Sequence, residues 1–249
     1  MSNSSLVSYT QISPNKTSPR NHAIDTITIH CMAGNLSIET CGNVFAPSSR
    51  QASSNYGIGS DGRIGMYVEE KDRSWCSSNA ANDHRAVTIE VANDGGAETG
   101  WHVSDKAYQA LINLVADICK RNNIKKLLWK GDKSLIGQIS QQNMTVHRWF
   151  AAKACPGDYL YNLHGQIADA VNAKLGTGTG TGSTTGTTTS FLVRVTASSL
   201  NIRSGPGTSY SIVGSITDKG TYTIVETSGT WGKLKSGAGW ISLSYTERV

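Results

Sequence analysis

The 249-residue chain contains no run approaching eighteen apolar side chains, so it offers no helix able to cross a bilayer. Its opening, MSNSSLVSYT, has neither a basic start nor an apolar centre, and no secretory leader is expected. Lysine and arginine nowhere cluster into a run, and no ladder of aromatic and basic residues accompanies the formal charge of +5. That pattern excludes a nucleic-acid-binding arm, and nucleic acid is not an expected partner. The mild positive balance still suits an anionic surface. Cysteine is sparse and odd in number: Cys31, Cys41, Cys76, Cys119 and Cys155 lack the spacing of a disulfide framework. Reduced thiols fit this set best, with a single bridge among Cys31, Cys41 and Cys76 left open.

The length is long for one compact domain and comfortable for two of unequal size. From Gly176 to Ser190 the chain reads GTGTGTGSTTGTTTS, without an apolar or charged residue. Such a stretch cannot build a core and reads as a linker, with a root-mean-square span of roughly 20 Å. Residues 1–175 then form one unit and 191–249 another.

In the first unit, Ile24 to His30 alternates β-branched residues and reads as a strand ending on His30, with Ile27 and Ile29 sharing a face. Tyr56 to Ile58 and Arg63 to Val68 flank an Asp-Gly turn, which predicts a hairpin. Ala86 to Ala92 is another strand; Val87, Ile89 and Val91 lie on one face and Glu90 on the other. Ser104 reads as the N-cap of a helix with apolar spacing from Tyr108 to Cys119, ended by Arg121-Asn122-Asn123. A second helix runs from about Tyr159 to Leu175 and stops at Gly176. Strands interleaved with helices predict an α/β (α+β) layer fold with a mixed central sheet.

The second unit has short strands (FLVRVTA, TYTIVET, GTWGKLK, GWISLS) separated by Gly, Pro, Asn and Ser clusters. It has no cysteine and is small enough that a compact barrel, which removes sheet edges, is the economical solution. Gly205-Pro206-Gly207 reads as a turn. Trp231, Trp240 and Tyr210 are candidates for core or for ligand platforms, with at least one Trp assigned to core.

Chemistry concentrates in Thr145 to Asp158, TVHRWFAAKACPGD, which holds His147, Lys153 and Cys155. His and Cys supply the nitrogen and sulfur donors that suit zinc, and His30 offers a third. Three protein donors with a fourth position left for water is the pattern of catalytic zinc. Cys155 precedes a helix that opens with Pro156, where the helix dipole favours a thiolate. Cys31, on the opposite side of an extended strand from His30, is discounted as a ligand.

The strand IDTITIHCMAG, the hairpin SSNYGIGSDGRI, the strand AVTIEVAN and the segment TVHRWFAAKACPGDYL, in that order, resemble zinc-dependent N-acetylmuramoyl-L-alanine amidases. These are the amidases related to phage lysozyme amidases and peptidoglycan-recognition proteins. The resemblance covers roughly residues 10 to 175. It implies that His30, His147 and Cys155 bind Zn2+, and that Lys153 and Tyr56 occupy the family's lysine and tyrosine positions. Relatives use either a glutamate in the IEV-type strand or the tyrosine to accept the proton, so Glu90 and Tyr56 are both candidates, with Glu90 favoured for its acidity. Residues 191–249 are similar to a bacterial Src-homology-3-like domain through SSLNIRSGPGTSYSIVGSI, TWGKL and GWIS, which implies binding to peptidoglycan.

The reaction implied is hydrolysis of the amide between N-acetylmuramic acid and the L-alanine of the stem peptide. Peptidoglycan is the expected partner, with no stable membrane insertion. With no leader expected, the resemblance implies a phage or prophage endolysin, made in the host cytoplasm and acting on the wall after release. The alternatives are a bacterial autolysin and a non-catalytic peptidoglycan-binding protein. Cys155 argues against the last, because loss of that cysteine accompanies loss of activity in that lineage. Taken without context, Glu90 reads as the polar side of a half-buried strand, Lys153 as a surface charge and Tyr56 as packing. His22, His84, His102 and His164 read as ordinary exposed or capping residues.

Overall fold

The computed structural model describes residues 2–177, 190–207, 210–228 and 231–249. Its internal contacts divide the chain into two compact units, Met1–Gly178 and Thr179–Val249. Most of the linker expected at 176–190 lies outside the described residues.

In the first unit the strands are β1 (Tyr9–Thr10), β2 (Lys16–Thr17), β3 (Thr26–Cys31), β4 (Tyr56–Ile58), β5 (Ile64–Met66), β6 (Arg73–Ser74), β7 (Ala86–Val91) and β8 (Met144–Val146). The helices are α1 (Ile38–Phe45), α2 (Ala80–Arg85), α3 (Asp105–Arg121) and α4 (Gly157–Leu175). Six strands form one mixed sheet in the order β1-β5-β4-β7-β3-β8. The pair β4 and β5 is the hairpin read from the Asp-Gly turn, closed by Gly59 N–H on the Arg63 carbonyl at 3.0 Å. The central strands β4, β7, β3 and β8 are parallel. Parallel strands need crossover connections, and helices supply them.

Alternation along the central strands sorts side chains onto two different faces. Ile27, Ile29, Val87, Ile89 and Val91 are fully buried and form the apolar face. Helix α3 packs on β4 and β7, and α4 on β3. Ser104 caps α3 as expected, its side chain accepting from Ala107 N–H, and Gly176 ends α4 in the left-handed conformation at φ 72°.

The other face is polar yet buried. Thr28 and Thr145 hydroxyls lie 2.8 Å apart, and the Asn82 side chain from α2 bonds both, at 3.1 and 2.9 Å. Thr88 bonds Ser74, at 2.7 Å, and is tied to Asn55. Buried hydroxyls are tolerable only when paired in this way. This face continues upward to His30 and Glu90.

The second unit is an antiparallel seven-stranded sheet in the order β11-β10-β14-β13-β12-β9-β15. Its strands are β9 (Phe191–Val195), β10 (Leu200–Arg203), β11 (Ile212–Ile216), β12 (Thr221–Ser228), β13 (Trp231–Leu234), β14 (Trp240–Ser242) and β15 (Thr246–Arg248). The sheet wraps one apolar cluster of Val193, Val195, Leu200, Ile216, Ile224, Leu234 and Ile241. Trp240 is buried, whereas Trp231 is half-buried and lines a groove of about 560 Å³ with Tyr245, Arg203 and Asn201. No described helix is long and apolar enough to cross a membrane.

Candidate metal centre

The parallel register decides which side chains meet. His30 is paired with Glu90, and Thr28 with Thr145, so His147 follows the end of β8 at the level of His30. In open α/β sheets the carboxyl ends of parallel strands are where ligands bind. Cys155 reaches the same point from the turn before α4. Donor atoms of His30, His147 and Cys155 all lie within 4.8 Å of one another.

The separation of His30 Nδ1 from Cys155 Sγ is 3.4 Å. Nitrogen at ~2.0 Å and sulfur at ~2.3 Å from one tetrahedral zinc would stand ~3.5 Å apart. The donor set therefore fits a zinc ion in chemistry and in spacing. Burial together with the neighbouring His147 pushes the His30 imidazole down to about 3, so it is neutral and free to donate a lone pair at neutral pH. Burial lowers His147 as well, with Lys153 adding to the effect.

Cys155 departs from expectation. In place of a helix dipole favouring the thiolate, a hydrogen bond with Cys31, burial and the Glu90 carboxylate push its pKa up. A cation is what would hold this sulfur deprotonated. Cys31 is also nearer than strand alternation implies: its backbone N–H points at Cys155 Sγ at 3.4 Å. It does not join the three donors within mutual reach. All five cysteines are free thiols.

Glu90 sits beside His30, with its Oε2 buried and unpartnered and its Oε1 3.8 Å from the Cys76 thiol. Burial raises its carboxyl to about 8, with Cys31 adding to the rise. His30, Cys76 and Glu90 form a second group of donors within 4.8 Å of one another. Lys153 is exposed and acts on His147 through its charge.

Tyr56 requires a correction. It pairs with Ile89 rather than Glu90 and so lies on the apolar face, away from the histidines. Its hydroxyl donates to Glu70 Oε1 at 2.6 Å and accepts from Ser4 N–H at 3.0 Å. Alternation within the hairpin gives no phase relative to β7; only register does. His164 is a second correction. It is fully buried on α4, its Nδ1 on the Leu160 carbonyl at 2.6 Å and its Nε2 unpartnered.

Sequence reasoning missed the loop that follows β6. Ser77 Oγ lies 3.3 Å from His30 Nε2, and Ser78 Oγ 3.2 Å from His147 Nε2. Two adjacent serines thus meet the Nε2 of each histidine. Ser78 adopts φ 58°, a conformation side chains seldom accept. The Asn-x-x-x-Asp spacing of α2 was the available signal, since Asn79 and Asp83 are cap-forming residues that fix this loop.

The family described as N-acetylmuramoyl-L-alanine amidase matches residues 20–158, more than half of the chain. The chain belongs to that family. It is therefore a peptidoglycan amidase, and its second unit matches the bacterial SH3 domain family over residues 198–247. Among solved structures, a mutant form of PlyL is 14% identical over 68% of this amidase and 98% of that chain, with a TM-score of 0.47. The endolysin amidase LysCS from Clostridium intestinale is 16% identical over 65% of this chain and 92% of that chain, with a TM-score of 0.43. A mutant endolysin from Bacillus subtilis is 15% identical over 67% and 97%, with a TM-score of 0.46. No curated protein sequence gave a significant match.

Proposed function

We propose that this amidase is zinc-dependent and hydrolyses the bond between the lactyl carbonyl of N-acetylmuramic acid and the amine of L-alanine. The observation that carries this reading is the convergence of His30, His147 and Cys155, with Glu90 enclosed beside them. The two imidazoles and the sulfur would hold the ion and leave one position open. Zinc bound there supplies Lewis acidity, polarising an amide carbonyl and acidifying water.

The remaining steps belong to side chains. Glu90 accepts the proton of the attacking water and delivers it to the leaving nitrogen, which departs readily only as a neutral amine. Its buried Oε2, without a hydrogen-bond partner, is placed for that transfer. Lys153, exposed beside His147, offers positive charge to the carbonyl oxygen as that oxygen becomes anionic. Tyr56 takes no part, since its hydroxyl is committed to Glu70 on the other face.

Digestion of purified walls tests the assignment. The expected products carry new alanine amino groups and no new reducing sugars, and Cys155→Ser abolishes them. New reducing ends would indicate a glycosidase and overturn the reading.

The second unit would hold the enzyme on the wall, and a linker at 176–190 would raise the local concentration of substrate. The domain limits we propose are 1–175, 176–190 and 191–249. We further propose an endolysin role: synthesis in the host cytoplasm, then action on the wall after release. Cells producing it should stay intact until the membrane is permeabilised and then lyse. Lysis without permeabilisation would favour the autolysin alternative.

A further inference from the structure

The loop between β6 and α2 reaches His30 through the Ser77 side chain. Ser77 is fully buried, and its Oγ faces two polar groups. His30 Nε2 stands at 3.3 Å and Asn82 Nδ2 at 3.2 Å. Asp83 is itself buried and is fixed by the backbone N–H groups of Cys76 and Ser77, each at 3.0 Å from Oδ2.

The directions of these bonds follow from what each group can give. The Asp83 carboxylate only accepts, and it takes the Ser77 backbone N–H, which fixes the loop that carries the hydroxyl. An amide NH2 only donates, so Asn82 occupies one Ser77 lone pair. The amide is oriented by the threonines: the Thr145 hydroxyl donates to Asn82 Oδ1, while Asn82 Nδ2 donates to Thr28. The Ser77 oxygen has a second lone pair, which can take an N–H from His30 Nε2. A neutral imidazole with its proton on Nε2 has a bare lone pair on Nδ1. Nδ1 is the nitrogen that faces Cys155 Sγ at 3.4 Å.

We propose that Ser77 is a positioning residue whose oxygen accepts from His30 Nε2, fixing the histidine tautomer and aiming Nδ1 at the metal position, while Asp83 holds the Ser77 backbone in place. Outer partners of metal-binding histidines orient the ring and raise its basicity, and losing one lowers metal affinity by roughly 10- to 100-fold. Here the outer partner is a serine hydroxyl on a loop that a buried carboxylate pins through its backbone N–H groups. The inference rests on His30 being a zinc ligand.

Zinc affinity of the full chain, measured by competition with a chromophoric chelator, gives the first readout. Ser77→Ala should weaken binding about 10- to 100-fold, and Ser77→Thr should restore most of it. Thermal unfolding of the metal-free forms checks that each variant folds. The second readout needs no variant. In metal-free wild type labelled with 15N-histidine, the His30 ring should show a protonated Nε2 and a bare Nδ1 at neutral pH. The opposite tautomer overturns the proposal, as does a folded Ser77→Ala whose zinc affinity stays within twofold of wild type. If wild type itself binds no zinc, the metal assignment fails instead, and the two failures are thereby told apart.

Discussion

Removing the Tyr56 hydroxyl tests the face assignment on which the mechanism depends. Glu70 is fully buried, and four donors surround its carboxylate: Tyr56 at 2.6 Å, two Arg121 nitrogens at 2.6 and 2.9 Å, and Asn122 at 3.0 Å. Tyr56→Phe deletes one of these and leaves Ser4 N–H without its acceptor. A hydrogen bond to a charged group contributes about 1.5 to 3 kcal/mol, and three remaining donors keep the loss toward the lower end. For a unit of this size that corresponds to a fall in Tm of roughly 3 to 10 °C. Activity on wall fragments should stay within about twofold, because the hydroxyl lies across the sheet from His30. Urea unfolding and kcat/KM measured on the same preparation decide the matter. A hundredfold loss of kcat/KM with unchanged stability would refute the assignment and return Tyr56 to the reaction centre.

Glu90→Gln should lower kcat by about 10²- to 10⁴-fold while zinc content, read by atomic absorption, is retained. Chelation should abolish hydrolysis, and added zinc should restore it; survival of activity in excess chelator would exclude the metal. His164 gives a pH prediction. Burial holds its folded pKa near 4, below the ordinary 6.5, so protons favour the unfolded chain and stability falls as pH drops from about 6.5 toward 4. His164→Phe should remove roughly 2 kcal/mol of that loss between pH 7 and 5, measured by denaturant titration. Deleting residues 191–249 should reduce pelleting with intact walls but leave turnover of soluble muropeptides intact.

Local features were readable from the chain. The cap at Ser104, the stop at Gly176 and the hairpin around Asp61-Gly62 depend on neighbouring residues, and all three recur in the fold. Glu90 could be set on the face opposite Val87 and Ile89 because alternation within one strand suffices. Tyr56 could not be placed, since its side depends on which β7 residue lies opposite. The same alternation turns the Cys31 side chain away from His30, although the turn before α4 brings Cys155 Sγ to the Cys31 backbone N–H. Ser77 and Asp83 sit in a loop and a short helix with no apolar period, and they acquire meaning only when β3 passes beneath them. The burial of His164 is not legible in the sequence, because an isolated histidine on a helix gives no sign of how deeply its face is covered.

The triangle of Thr28, Thr145 and Asn82 guards against slippage. Apolar faces tolerate sliding, since one methyl contact resembles the next. Moving β8 one residue along β3 would bring Val146 or Met144 opposite Thr28, strand three hydrogen-bonding groups in a dry layer, and carry His147 out of step with His30. The hydroxyls beneath the centre therefore act as an alignment key. Chains that paired out of step would carry the penalty of unmet polar groups before any ion arrived.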